Sequence, residues 1–228
     1  MIRTIIFDLG GVIITIDHDE AIRRFTELGL KDAAERLDPY TQGGIFGDLE
    51  EGKIDAEDFR RELSLLVGRE VTYEECRYGW LGYCGDIPQR NLDMLQRLRA
   101  EGYRVVLLSN TNPYMMSFVL SPEFDGKGNA LDHYLDALYL SYKMKVMKPA
   151  ESFFRRVLMA EQVLPSECLF VDDGPRNVAA ASQVGMHTFC PRNGEDWTKE
   201  IVGKIKESSP SDKTRIAEQQ SEATPLPS

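Results

Sequence analysis

The chain has 228 residues, 42% hydrophobic and 28% charged, an ordinary globular balance with room for one domain of about 150 residues and a smaller unit. Its net charge of −10 opposes long-range attraction to a phosphate backbone, which argues against a nucleic-acid partner. No run approaches the roughly 20 apolar residues of a membrane span, and the N-terminal apolar run is broken by Asp8 without a small-residue cleavage site. A cytoplasmic protein with no membrane partner is expected.

In chain order, TIIFDLGG (4–11) is a short β-branched apolar run ending in an acidic residue and two glycines, the pattern of a buried strand feeding a turn. Residues 16–86 form a long acidic stretch of helical periodicity, from HDEAIRRFTELGL through AEDFRRELSLLVG to TYEECRYGWLGY. In QRNLDMLQRLRAEG (89–102), Leu92, Leu95 and Leu98 share one helix side and Gly102 is the stop. YRVVLLSNTNP (103–113) repeats the strand pattern, as do DALYLSYKM (136–144) and MHTFC (186–190). In ECLFVDDGPRNVAAA (167–181), Asp, Gly and Pro lead from a strand into an alanine-rich helix. From residue 207 the chain is polar and proline-punctuated, the composition of a flexible tail.

Strands alternating with helices predict a parallel sheet covered on both faces, in which ligands collect at the carboxyl ends of the strands. Those ends carry Asp8, Ser109 and the pair Asp172 and Asp173. The helical insertion at 16–86 then reads as a cap over their crevice, with core segments 1–15 and 87–206 and a tail at 207–228. Cys76, Cys84, Cys168 and Cys190 lack metal or redox spacing and read as free buried thiols. His18 and His133 read as loop residues, His187 as a packed strand residue, and Trp80 and Trp197 as packing anchors. Arg23 and Arg24 read as a solvated helix face. Neither G-x-G-x-x-G nor G-x-x-x-x-G-K-[ST] is present, which excludes the usual nucleotide-cofactor loops.

Four fragments together resemble the haloacid dehalogenase-like superfamily: FDLGGVI (7–13), LLSNTNP (107–113), MKP (147–149) and FVDDGPRNV (170–178). LEEGKIDAEDF (49–59) is similar to its helical-cap members. The resemblance implies a Rossmann-like three-layer α/β/α sheet, the acidic-motif strand beside the first, and an inserted α-helical cap. It further implies a Mg²⁺-dependent phosphohydrolase acting on a small phosphorylated metabolite, with a sugar phosphate suggested by analogy. By the same resemblance Asp8 is nucleophile and metal ligand, the Gly10 carbonyl and Asp173 are ligands, and Asp172 acts directly or through water. Ser109 and the Asn110 backbone would hold the transferring phosphoryl group, Lys148 would bridge phosphate and Asp8, and Asn177 would orient the acidic loop. Charge agrees with these roles: three carboxylates against one Mg²⁺ and one lysine leave the site near neutral before a dianionic substrate enters.

Gly10 departs from the family pattern. Most phosphatases of the superfamily carry an aspartate there that protonates the leaving alkoxide and deprotonates the attacking water. Two alternatives follow from its absence: a phospho-ligand-binding or regulatory protein with weak catalysis, and a haloacid dehalogenase. The position lends its carbonyl to the metal, so a metal site is expected to tolerate glycine. No motif specifies the substrate or the oligomeric state.

Overall fold

The computed structural model describes residues 1–37 and 43–208; residues 38–42 of the insertion and the expected tail beyond Ser208 lie outside the described residues. Strand β1 (Thr4–Phe7) is followed by helices α1 (His18–Glu27), α2 (Ala33–Arg36), α3 (Gly44–Glu51), α4 (Ala56–Val67) and α5 (Tyr73–Trp80). The chain then alternates through α6 (Gln89–Ala100), β2 (Arg104–Ser109), α7 (Pro113–Val119), β3 (Ala137–Leu140), α8 (Ser141–Met144) and α9 (Glu151–Glu161). It ends with β4 (Cys168–Val171), α10 (Pro175–Val184), β5 (His187–Phe189) and α11 (Ile201–Glu207).

Among the described residues the strands form one parallel sheet in the order β3-β2-β1-β4-β5. The acidic-motif strand β4 therefore lies beside β1, as expected. Alternation of side chains sends Ile5, Phe7, Val105, Leu107, Leu169 and Val171 to one face, where α6 and α11 cover them. Ile6, Val106, Leu108 and Phe170 point to the other face, under α9 and α10. The three-layer α/β/α arrangement follows from strands buried on both sides.

Helices α1 to α5 bury a cluster of their own, in which Phe25, Phe46, Phe59 and Trp80 meet at ring separations of 5.1–5.9 Å. Local sequence starts these helices cleanly. Asp17 caps α1, and capping boxes formed by Asp55 with Asp58 and Thr72 with Glu75 open α4 and α5. The core reaches into this cluster through Tyr114 and Met115 of α7, and the Tyr114 hydroxyl donates to the Ala56 carbonyl at 2.6 Å.

Several local expectations are corrected. The run 136–144 is a strand only to Leu140, after which α8 begins, because Ser141 Oγ accepts from the Thr111 amide at 2.9 Å and donates to the Thr111 carbonyl at 3.1 Å. His18 opens α1 and His133 sits in a 3-10 turn, so neither is a loop residue. Cys76 and Cys168 are buried free thiols, but Cys84 is half-buried and Cys190, one residue past β5, is exposed. Glu207 belongs to α11 and not to a tail. Among the described residues no helix is long and apolar enough to cross a membrane.

Candidate active site

The register of the sheet assembles the site. Phe7 pairs with Leu107 on one side and Val171 on the other, so Asp8 and Asp172, which follow directly, and Ser109, two residues after Leu107, emerge at the same edge. Lys148 comes from the loop after α8 and is seated by Asn110. The Lys148 amide donates to Asn110 Oδ1 at 2.8 Å, and Asn110 Nδ2 donates to the Lys148 carbonyl at 3.0 Å.

Lys148 is 4% exposed, and its Nζ lies 2.9 Å from Asp8 Oδ1 and 2.6 Å from Asp172 Oδ2. Burial alone would depress its ammonium, but Asp172 and Asp8 outweigh burial and the net shift is upward. Asp172 is fully buried and saturated. Its Oδ1 accepts from the Gly174 amide at 2.8 Å and from Asn177 Nδ2 at 3.1 Å, while Oδ2 holds Lys148. Asn177, in the first turn of α10, holds Asp172 together with the Gly174 amide and Lys148.

Asp8 Oδ1 also accepts from the Leu9 amide at 2.7 Å. Burial pushes the Asp8 carboxyl up to about 7, Lys148 pulling it back and Asp172 and Asp173 adding to the rise. Burial and the neighbouring Asp172 push Asp173 up to about 6. Burial dominates both shifts, and the crowding of three carboxylates around a single ammonium adds to them; a divalent cation would offset that crowding. Asp8, Asp172 and Asp173 can each present an oxygen within 4.8 Å of the others. Gly11 makes the room: at φ +74°, a Cβ there would stand 2.0 Å from Asp173 Oδ2.

Asp8 and Asp173 line a cavity of about 290 Å³ together with Gly10, Ser109, Asn110 and Thr111, among apolar neighbours that include Leu9, Ile14 and Met115. Lys148 is not part of the lining and lies behind Asp8. The helical insertion contributes Ile16, Glu50, Trp80 and Tyr83 to the lining. Arg23 and Arg24 are not among the lining residues. Arg23 pairs with Glu20 and Glu27, and Arg24 pairs with Glu20 and lies over the Tyr78 ring.

Glu50 is the site residue that sequence reasoning missed. It is 7% exposed near the end of α3, and burial pushes its carboxyl up to about 7, the Asn112 amide opposing and Asp8 reinforcing the rise. A signal for it was present. Ile45, Phe46 and Leu49 mark the buried side of α3, and Glu50 falls four residues after Phe46 on that side.

A family model for haloacid dehalogenase-like hydrolases matches residues 2–185. The chain belongs to the haloacid dehalogenase-like hydrolases. It is 49% identical over 202 residues to D-ribitol-5-phosphate phosphatase of Bacteroides thetaiotaomicron, spanning 89% of this chain and 98% of that protein. Among solved haloacid dehalogenase-like structures, a hydrolase from Porphyromonas gingivalis superposes with a TM-score of 0.86 at 44% identity, covering 90% of this chain and 98% of its own. A family enzyme from B. thetaiotaomicron, solved with magnesium and inorganic phosphate, superposes at 0.79 with 33% identity, over 87% of this chain and 98% of that one.

Proposed function

We propose that this hydrolase is a magnesium-dependent phosphatase of small phosphorylated sugars or sugar alcohols, acting through a phosphorylated Asp8. The observation behind it is that Asp8 and Asp173 line one small cavity while the buried Lys148 pairs with Asp8 from behind it. The likeness to a ribitol-5-phosphate phosphatase supports the substrate class, and so does size. Ligand pockets for drug-sized molecules run to about 300–1,000 Å³, and a cavity of about 290 Å³ suits a short polyol chain.

In this reading residues 16–86 are the cap, and residues 1–15 and 87–206 carry the chemistry. Asp8, the Gly10 carbonyl and Asp173 would hold the metal, and Asp172, whose oxygens already accept from Lys148, Gly174 and Asn177, would lend charge beside it. Bound there, Mg²⁺ would neutralise charge shared between the carboxylates and the phosphoryl oxygens. A carboxylate oxygen of Asp8 attacks phosphorus, Lys148 keeps Asp8 ionised and balances the dianion, and Ser109 Oγ with the Asn110 amide steadies the phosphoryl oxygens. Water then releases phosphate from Asp8.

The test is phosphate release from D-ribitol 5-phosphate and a panel of sugar phosphates with Mg²⁺. Turnover should vanish on chelation and fall by at least about 10⁴-fold in Asp8→Asn with the circular dichroism spectrum unchanged. Full activity after exhaustive chelation would overturn the metal assignment, and a loss of only a few-fold in Asp8→Asn would overturn the nucleophile. The phospho-ligand-binding alternative draws on Gly10, which offers no acid. It would prevail if ribitol 5-phosphate bound and no ester in the panel were cleaved.

A further inference from the structure

We propose that Glu50, carried by the helical insertion, is the proton-transfer residue that position 10 lacks. The inference rests on the phosphatase reading above and adds a catalytic group to it.

Four observations converge on Glu50. First, a glutamate on the buried side of a helix is costly unless paired, and among the described residues no cation touches this one. Asn112 Nδ2 lies toward it without completing a hydrogen bond, its Oδ1 being used to cap α7, and Lys148 acts only from a distance. The last turn of a helix also has the wrong sign for a carboxylate, because the carbonyl end of the helix dipole is negative. A group held against three unfavourable effects calls for a use.

Second, Glu50 lines the same cavity as Asp8 and Ser109, on the side contributed by the insertion, where the ester's leaving group would project away from the phosphoryl floor. Third, its position is built. The residue that terminates α3, Gly52, adopts φ +73°, and a Cβ there would stand 2.1 Å from the Tyr142 carbonyl. That close approach presses the end of α3 against the core backbone. Fourth, burial pushes the Glu50 carboxyl up to about 7, so that near neutral pH both the acid and its conjugate base are populated.

An Asp8 oxygen bonds to phosphorus, the ester P–O bond breaks, and its electron pair stays on the ester oxygen, which takes the Glu50 proton and leaves as the alcohol. Water oxygen then bonds to phosphorus and the P–O bond to Asp8 breaks, its electrons returning to the carboxylate. Glu50 takes one water proton, and inorganic phosphate leaves with Glu50 again protonated.

The experiment compares wild type with Glu50→Gln, in Mg²⁺, on D-ribitol 5-phosphate and on p-nitrophenyl phosphate. An alkoxide needs its proton to leave, whereas p-nitrophenolate departs as a stable anion. In Glu50→Gln, kcat/KM should therefore fall by about 10²–10⁴ for the ribitol ester and by less than about tenfold for the aryl ester. The aryl ester should also give a burst of p-nitrophenolate before steady turnover, because the water step loses its base. The alkaline limb of the ribitol pH profile should disappear in Glu50→Gln and persist in Glu50→Asp, which also serves if the glutamine variant fails to fold. Equal losses on both esters, a rise in KM with kcat preserved, or a pH limb lost in Glu50→Asp too would each overturn the role. Wild type inactive on both esters would overturn the phosphatase reading and this inference with it; an unchanged ester ratio in Glu50→Gln, with wild type active, overturns Glu50 alone.

Discussion

Gly11 shows how little space the site leaves at the scale of one residue. Its absent side chain would fall 2.0 Å from the Asp173 carboxylate on a backbone at φ +74°, so Gly11→Ala must displace either the turn or Asp173. Magnesium affinity, read by titration calorimetry, should drop at least about tenfold in Gly11→Ala while the melting temperature moves by only a few degrees. Gly10 is different. Its φ is not in the left-handed range, and a Cβ would instead meet the end of Ile16, at 2.8 Å from Cδ1 and 2.9 Å from Cγ1. The sequence made plain that position 10 offers no acid, but not that Ile16, six residues on, fills the space an acid would need. Glu50 carries a stability prediction with a definite sign. Its folded pKa, about 7, is raised above the ordinary carboxylate value, so the folded state binds the proton more tightly than the unfolded chain. The cost of ionising it is absent at pH 4, grows between pH ~4.5 and ~7, and is constant above. Glu50→Gln in the metal-free protein should therefore be more stable than wild type by about 3 kcal/mol at most at pH 8 and equal to it at pH 4, as read by urea unfolding. A variant less stable than wild type at pH 8 would mean the carboxylate is compensated after all.

At the scale of elements, Gly52 marks a contact between two pieces of structure. Its approach to the Tyr142 carbonyl joins the end of α3 to α8, and a methyl group there would push the two apart. Gly52→Ala should lower kcat for ribitol 5-phosphate by about tenfold or more through misplacement of Glu50, with a smaller effect on p-nitrophenyl phosphate. Equal effects on both would point to damage at the phosphoryl floor instead. The strands β1, β2 and β4 were legible because each is a short apolar run ended by a polar residue, and because register in a parallel sheet delivers those ends to one edge. The join between β3 and α8 was not. Ser141 is committed to both backbone groups of Thr111, thirty residues away, and no local propensity encodes that partner. The same holds for Asn110, which reads as a phosphate-side residue in sequence and turns out to clamp the lysine loop with its side chain.

At the scale of the whole molecule, the convergence of the core residues was readable and the insertion's contribution was not, for one reason. Asp8, Ser109 and Asp172 are placed by strand register, which the pattern determines, whereas the side of α3 that meets the cavity is set by packing between two hydrophobic clusters. Those clusters are joined by Tyr114 and Met115, core residues that pack with the helices of the insertion. The joint leaves the chain with a built-in optical probe. It has two tryptophans, and they sit in separate clusters. Trp197 is sealed in the core, its indole donating to the Val12 carbonyl at 2.8 Å. Trp80 lines the cavity, and its buried Nε1 has no hydrogen-bond partner among the described residues. Emission from Trp80 should shift when an acyclic polyol phosphate fills the space beside it, while Trp197 supplies a constant background. Titrating D-ribitol 5-phosphate into Asp8→Asn with Mg²⁺ should give a saturable change in fluorescence that Trp80→Phe abolishes. A change that survives in Trp80→Phe would place the responding indole in the core, and with it a rearrangement reaching well beyond the cavity.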